Sequence, residues 1–222
     1  MNRPILTESE VRQLKPGSPC YVLKGTLVTA LARELASSRQ NAIIECEHES
    51  ELDGLKAIER RIALGADRGG CSLKNGLSTF LTDNGYFVLH CVPSDEEAYD
   101  SPELTTQVAN VLRCGRAIRG IMIDDVGIGA CVLANKIPGI RAAHGYDRLS
   151  ARSSREHLDA NLLTLGAQVL SLEQAILVVS TWLNASIPSD RSLCWIPKIE
   201  SIEQRFSKDC VIAVAGDSSC AL

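Results

Sequence analysis

The sequence predicts an α/β protein with a doubly wound, five-stranded parallel sheet, a short N-terminal extension and a C-terminal helical tail. Short apolar runs alternate with stretches whose apolar residues recur at helical spacing. This alternation is typical of buried parallel strands that are connected by helices on both faces of a sheet. The 222 residues are 45% hydrophobic, which is ample for a buried core. Because only 4% are aromatic, we expect Leu, Ile, Val and Ala to fill most of that core.

Residues 1–59 are predicted to form the N-terminal extension. Thr7 and Glu10 have the spacing of a capping box, which predicts the start of a short helix. The segment 15–19 is rich in proline and glycine and is expected to break that helix.

The rest of the extension is predicted to contain a second helix and one strand. Leu27, Leu31 and Leu35 recur at helical spacing, so they are expected on the apolar face of an amphipathic helix. Residues 42–44 favour a short strand. The acidic and polar stretch 45–53 is expected to be a linker to the main domain.

Residues 60–185 are predicted to form the main domain. Its five predicted strands are the apolar runs 62–65, 86–89, 120–123, 140–143 and 162–165. Helices are predicted between and after them, around 73–81, 105–113, 128–135, 147–156 and 171–183. Five strands connected in this way fit a doubly wound sheet. Residues 186–222 are predicted to form a tail with one helix at 198–206, and no structure is assigned to its last residues.

Charge and hydropathy exclude several classes of protein. The formal net charge is −4 and no stretch is densely basic, which argues against a nucleic-acid-binding surface. The longest apolar runs fall well short of the roughly 18 residues that a membrane-spanning helix needs. The first residues lack the apolar centre of a signal peptide. A cytoplasmic protein without a membrane partner is therefore expected.

The cysteines and histidines do not form a metal-binding pattern. The nine cysteines are odd in number and widely spaced, and no CxxC pair occurs among them. A zinc site needs clustered ligands, so we interpret these cysteines as buried, reduced thiols and expect no metal. The histidines also lack a metal-binding spacing.

Polar residues follow three of the predicted strands, where an open parallel sheet binds its ligands. Asp67 and Arg68 follow the first strand, Asp124 and Asp125 follow the third, and a polar loop follows the fourth. The backbone N–H groups of Gly127, Ile128 and Gly129, between a strand and a helix, suit an anion. This loop lacks both the third glycine of a dinucleotide fingerprint and the Lys-Ser/Thr of a P-loop, so no nucleotide cofactor is expected.

Two longer segments carry a family resemblance. The segment GIMIDDVGIGACVLANKIPGIRAAHGYDRLSARSSREHLDANLLTLGAQVL closely resembles the ribose-5-phosphate isomerase B and galactose-6-phosphate isomerase family, and IALGADRGGCSLKNGLSTFLTDNGYFV matches that family's first strand and helix. The resemblance spans about residues 60–206. It implies a Rossmann-like fold, aldose–ketose isomerisation of a phosphorylated sugar of the ribose 5-phosphate type, and no metal or cofactor. It also implies a homodimer, or a dimer of dimers, with sites built across the subunit interface and a tail that contributes to both.

The resemblance assigns catalytic roles to two residues. Many family members have a catalytic cysteine at the end of the third strand, where this chain has Asp124, as the galactose-6-phosphate isomerase resemblance also suggests. A carboxylate suits proton abstraction, although an Asp at this position also suits the alternative role of capping the next helix. His157 matches the family's ring-opening histidine, and a structural histidine at a helix end is the alternative.

The residues expected to bind substrate depart from the family pattern. Asp67 matches an acidic residue that contacts sugar hydroxyls, and the backbone of residues 127–129 would hold the enediolate oxygens. Arg68 replaces the usual histidine and Gln168 replaces a usual arginine, while Arg191 matches the first of two tail arginines. We expect Arg68 and Arg191 to bind the phosphate, with a surface or structural charge as the alternative for Arg68.

Two other interpretations stay open. The altered phosphate-binding residues also fit a non-catalytic relative that binds a sugar phosphate, or a subunit that needs a related chain to complete its site. The N-terminal extension looks similar to extensions on some enzymes of bacterial microcompartments, which would imply a microcompartment partner.

Overall fold

The computed structural model describes residues 4–14, 19–92, 101–185 and 195–216. The extension forms a small α/β module of its own. Its elements are β1 (Ile5–Leu6), α1 (Glu8–Gln13), β2 (Cys20–Leu23), β3 (Leu27–Val28), α2 (Ala30–Ser38), β4 (Ile43–Cys46) and α3 (Glu49–Glu59). β1 pairs with β3 and β2 pairs with β4, both in parallel. The predicted capping box is confirmed, because the Glu10 carboxylate accepts from the backbone N–H of Thr7 at 2.7 Å.

Two predictions for the extension were wrong. Leu27 lies in β3, and Leu31 is 61% exposed on α2, whose buried residues are Ala32 and Ala36. These two alanines are one turn apart, and their small side chains allow the helix backbone to pack closely on the module. The stretch 45–53 is not a linker, since it completes β4 and begins α3. Acidic residues in the first turn of α3 are favourable at a helix N-terminus.

The main domain contains the predicted five-stranded parallel sheet. Its strands are β5 (Arg61–Ala66), β6 (Phe87–His90), β7 (Arg119–Asp124), β8 (Ala142–His144) and β9 (Leu162–Gly166), in the spatial order β6-β5-β7-β9-β8. The helices are α4 (Cys71–Asp83), α5 (Ser101–Arg113), α6 (Ile128–Ala134), α7 (Arg148–Leu158) and α8 (Leu172–Asn184), followed by α9 (Ile196–Gly216) in the tail. β8 begins two residues later than predicted, and α9 extends beyond the predicted helix.

Separate apolar clusters cover the two faces of the sheet, as the doubly wound fold requires. One cluster includes Leu77 of α4 and Trp182 of α8, and the other includes Val108 of α5 and Ala134 of α6. Most of their members are Leu, Ile, Val and Ala, as predicted, and Trp182 is fully buried. Because β5 is flanked by β6 and β7, the chain changes direction between β5 and β7, which makes their carboxyl ends the switch point where such sheets bind ligands.

The cysteines are less uniformly buried than predicted. Cys20, Cys46 and Cys91 are buried, whereas Cys71 and Cys131 are half-buried and Cys114 is exposed. The other three lie where the structure describes no side chain. Within the described ranges, no helix has the length and apolar character needed to cross a membrane.

Candidate active site

The strands β5, β7, β8 and β9 end along one side of the sheet, called here the carboxyl edge. Three backbone hydrogen bonds bring the ends of β5, β7 and β9 together: the N–H of Asp67 donates to Ile123, that of Ala167 to Asp124, and that of Gln168 to Asp125, at 2.8–3.0 Å. The acidic residues predicted after two separate strands therefore lie side by side.

Asp124 is 5% exposed, and the loop that follows it holds its carboxylate. Oδ1 accepts from the backbone N–H groups of Val126, at 3.1 Å, and Gly127, while Oδ2 accepts from that of Ala130 at 2.8 Å. This is the capping arrangement that the sequence left as the alternative role of Asp124. The hydrogen bonds fix the position and orientation of the carboxylate at the end of β7.

The loop at residues 125–129 turns tightly after Asp124. Gly127 has φ of +80°, a conformation that favours glycine, and its carbonyl accepts from the Thr164 hydroxyl at 2.7 Å. The N–H groups of Ile128 and Gly129 donate to no group within the described residues, and both residues are exposed. Two backbone donors are thus open at the carboxyl edge, within the segment predicted to hold substrate oxygens.

Three carboxylates share this edge. Burial raises the pKa of Asp67, the charges of Asp125 and Asp124 raise it further, and the N–H of Gly70, which donates to Asp67 Oδ1 at 2.9 Å, lowers it. Asp125 is exposed, and its carboxylate lies against Gly69, where a β-carbon would collide with it. Arg68 is also exposed, and none of the described residues forms an ion pair with it.

His144 is a residue of this edge that sequence analysis did not assign. It ends β8, and its ring lies against Gly127, where a β-carbon would meet Nδ1 and Cε1 of the imidazole. Nδ1 is buried and has no hydrogen-bond partner among the described residues, and the ring of Tyr146 lies 5.9 Å away. A polar loop was predicted after the fourth strand, but the contact with Gly127 joins residues from different strands and has no local signal.

His157 lies at the opposite side of the sheet, called here the amino edge, where β7 and β9 begin. It is exposed in the last turn of α7, shortly before β9, and Asn161 accepts from the N–H of Gly120 at the start of β7. The span of β7 separates this edge from Asp124 by about 17 Å. One chain therefore does not bring Asp124 and His157 together. Arg191 lies outside the described residues, where its predicted role is not tested.

Within the described ranges, no group of His, Cys, Asp and Glu side chains is arranged to hold a metal ion. Residues 62–199, more than half of the chain, match the family model described as Ribose/Galactose Isomerase.

Relatives and solved structures agree with that match. Ribose-5-phosphate isomerase B of Escherichia coli is 36% identical over 146 residues, which cover 66% of this chain and 98% of the relative. D-erythrulose-4-phosphate isomerase of Pectobacterium atrosepticum is 34% identical and is covered over 91% of its length, against 64% of this chain. The structure of Clostridium thermocellum ribose-5-phosphate isomerase B superposes with a TM-score of 0.63 at 40% identity, covering 66% of this chain and 99% of that one. The chain therefore belongs to the ribose/galactose isomerase family.

Proposed function

We propose that this protein interconverts an aldose phosphate and a ketose phosphate of the ribose 5-phosphate type, with Asp124 as the base. The observation that carries the proposal is the buried, oriented carboxylate of Asp124 at the β5–β7 switch point, on the same loop as the open N–H groups of Ile128 and Gly129. A base beside oxyanion donors is what an enediolate reaction requires.

In the proposed reaction, Asp124 removes the proton from the carbon next to the carbonyl of the open-chain sugar. The electron pair moves onto the carbonyl oxygen, which becomes the enediolate oxygen and accepts from the N–H groups of Ile128 and Gly129. The carboxyl group then returns the proton to the neighbouring carbon. Asp67, half-buried beside Asp124, accepts hydrogen bonds from sugar hydroxyls.

We further propose that a second copy of the chain completes the site. His157 is exposed at the amino edge, so it can reach a carboxyl edge only in another subunit. In a twofold dimer, each site would then use Asp124 of one subunit and His157 of the partner subunit, whose imidazole opens the sugar ring. Arg68, exposed beside Asp67, would hold the phosphate in place of part of the family's usual contacts, together with Arg191.

A non-catalytic or heteromeric role is the second candidate. Its supporting observation is that three backbone N–H groups already bind the Asp124 carboxylate, which makes this residue a complete helix cap without any catalytic role. A subunit of galactose-6-phosphate isomerase from Streptococcus equi is 36% identical over 114 residues.

Turnover of Asp124→Asn separates the two candidates. We expect the parent to isomerise five- or six-carbon aldose phosphates and the variant to lose about 10²–10⁴-fold in kcat, the usual contribution of a general base. Asp125→Asn is the matched control, because Asp125 is the exposed neighbour and should retain most activity. Binding of a sugar phosphate without turnover by the parent would instead support the non-catalytic role.

Subunit mixing tests the shared site. Asp124→Asn and His157→Ala should each be inactive as homodimers. Exchange of their subunits should restore up to about a quarter of parental activity, since half of the dimers are mixed and one of their two sites is intact. Absence of recovery, combined with loss of activity in His144→Ala, would assign the imidazole role to His144 of the same chain.

A further inference from the structure

A cavity of about 300 Å³ lies at the amino edge of the sheet, away from the proposed active site. Its polar lining consists of Arg119 at the start of β7, Arg141 before β8, Arg155 on α7, and Asp159 and Asn161 before β9. Three guanidinium groups thus converge on one small space from three parts of the chain.

A single carboxylate contacts these three cations. Asp159 pairs with Arg141 at 2.9 Å and with Arg155 at 2.6 Å. Arg119 donates instead to the carbonyl of Leu183 at 2.9 Å. Glu59 at the end of α3 also attracts Arg119, but no ion pair within 4.0 Å joins them in the described structure. The cavity therefore has an excess of positive charge.

The arginines also have unused donors. Within the described residues, Nη2 of Arg119, Nη1 of Arg141 and Nη2 of Arg155 donate to no acceptor. Nε of Arg119 and Nε of Arg155 are buried without a partner, and Arg155 is only 8% exposed. Burying unpaired charged donors is costly unless something compensates for it. Burial, and then the charge of Arg155, lower the pKa of Arg119 to about 10.

The cluster is held rigidly. The guanidinium groups of Arg119 and Arg155 lie 5.9 and 5.8 Å from the ring of the fully buried Trp182. Arg141 also donates through Nε to the carbonyls of Leu158 and Asp159. Because these contacts fix the guanidinium planes, little side-chain entropy is lost when a ligand binds.

We propose that this cavity is an anion site that binds a phosphoryl group or a similar oxyanion between Arg119, Arg141 and Arg155. Guanidinium groups match the oxygens of a phosphoryl group geometrically, and the cavity has room for inorganic phosphate or a small phosphorylated metabolite. The site lies about 17 Å, the span of β7, from Asp124, and it does not depend on the proposed catalytic activity.

Trp182 provides a local probe of this site. The chain has two tryptophans, so Trp195→Phe leaves Trp182, between two of the arginines, as the single fluorophore. We expect inorganic phosphate to change the Trp182 emission of the full-length variant saturably, whereas chloride at the same ionic strength does not. Adding Arg119→Gln should weaken phosphate binding at least about tenfold, the effect of losing a charge-assisted contact.

Arg68→Ala in the same background is the matched control, because Arg68 lies at the carboxyl edge and its loss should leave the Trp182 response unchanged. If Arg119→Gln fails to fold by circular dichroism, Arg119→Lys replaces it, since Lys retains the charge and loses the fork. A parallel titration with ribose 5-phosphate distinguishes free phosphate from a sugar phosphate by which one binds more tightly. Absence of a saturable response, or an unchanged Kd without Arg119, would overturn the proposal.

Discussion

The two edges of the main sheet have opposite charges. The carboxyl edge carries Asp67, Asp124 and Asp125, whereas Arg119, Arg141 and Arg155 converge at the amino edge. At the carboxyl edge, backbone N–H groups bind the central carboxylate, and the neighbouring N–H groups are open. At the amino edge, one carboxylate serves two arginines.

This difference bears on substrate binding. A sugar phosphate is an anion, and three carboxylates around the proposed site oppose its approach. The neutralising charge must therefore come from Arg68, from Arg191 or from a partner subunit. The comparison suggests a division of labour, with reaction chemistry at the acidic edge and anion binding and structural stability at the basic edge. Four substitutions test it.

Gly127→Ala should have the largest effect and should act on the carboxyl edge. A β-carbon at Gly127 would collide with the His144 ring, and φ of +80° strains a side chain at this position. Displacing the loop by about 1 Å is expected to reduce kcat about 100-fold or more. Gly139→Ala is the control, because Gly139 has φ of +82° but open space around it. It should cost about 1 kcal/mol of stability without affecting turnover. Equal losses of activity in both variants would contradict the role of the His144 contact.

Trp182→Ala should act on stability. Trp182 is fully buried and packs against Arg119 and Arg155, so truncating it is expected to lower the free energy of unfolding by about 3–5 kcal/mol. Urea unfolding measures this. Trp195→Ala, at a residue that is 59% exposed, should change stability by less than about 0.5 kcal/mol. Similar losses in the two variants would argue against Trp182 as the anchor of the amino edge.

Asp159→Asn removes the one carboxylate that contacts the basic cluster. Asn tolerates the left-handed φ of +46° at this position, so the substitution tests charge rather than backbone strain. We expect a loss of about 2 kcal/mol, less than for a fully buried pair because Asp159 is 28% exposed. Glu156→Gln, in the more exposed pair with Arg152, should cost below about 1 kcal/mol in the same unfolding experiment. An Asp159→Asn variant as stable as its parent would show that the arginines need no counterion there.

Asp67→Asn should have the smallest effect, and the effect should depend on pH. The raised pKa of Asp67 means that the folded state holds this proton more tightly than the unfolded state does. Stability from this group is therefore full below the unfolded pKa and is lost as the pH rises through the folded pKa. The variant, which has no such proton to lose, should gain stability relative to its parent between pH 3.5 and 7. Unfolding curves at both pH values measure the difference, and a relative loss at the higher pH would reverse the assigned sign.

Local patterns determined most of the main domain. Continuous apolar runs such as 162–165 predict buried strands because both faces of a parallel sheet are covered. Capping pairs, such as Ser171 with Gln174, predict helix starts because both partners lie within one turn. Asp67 and Asp124 were identified for the same reason, since each directly follows a strand.

Only the tertiary structure decided which residues meet. Leu27 and Leu31 have helical spacing, but pairing of Leu27 with Ile5 places it in a strand and the packing of Ala32 leaves Leu31 outside. His157 was correctly placed near a helix end, yet only the direction of α7 puts it at the amino edge. The His144–Gly127 contact and the convergence of Arg119, Arg141 and Arg155 join residues far apart in the chain. Such contacts have no periodic signal in the sequence, because they depend on strand order and on how helices cross the sheet.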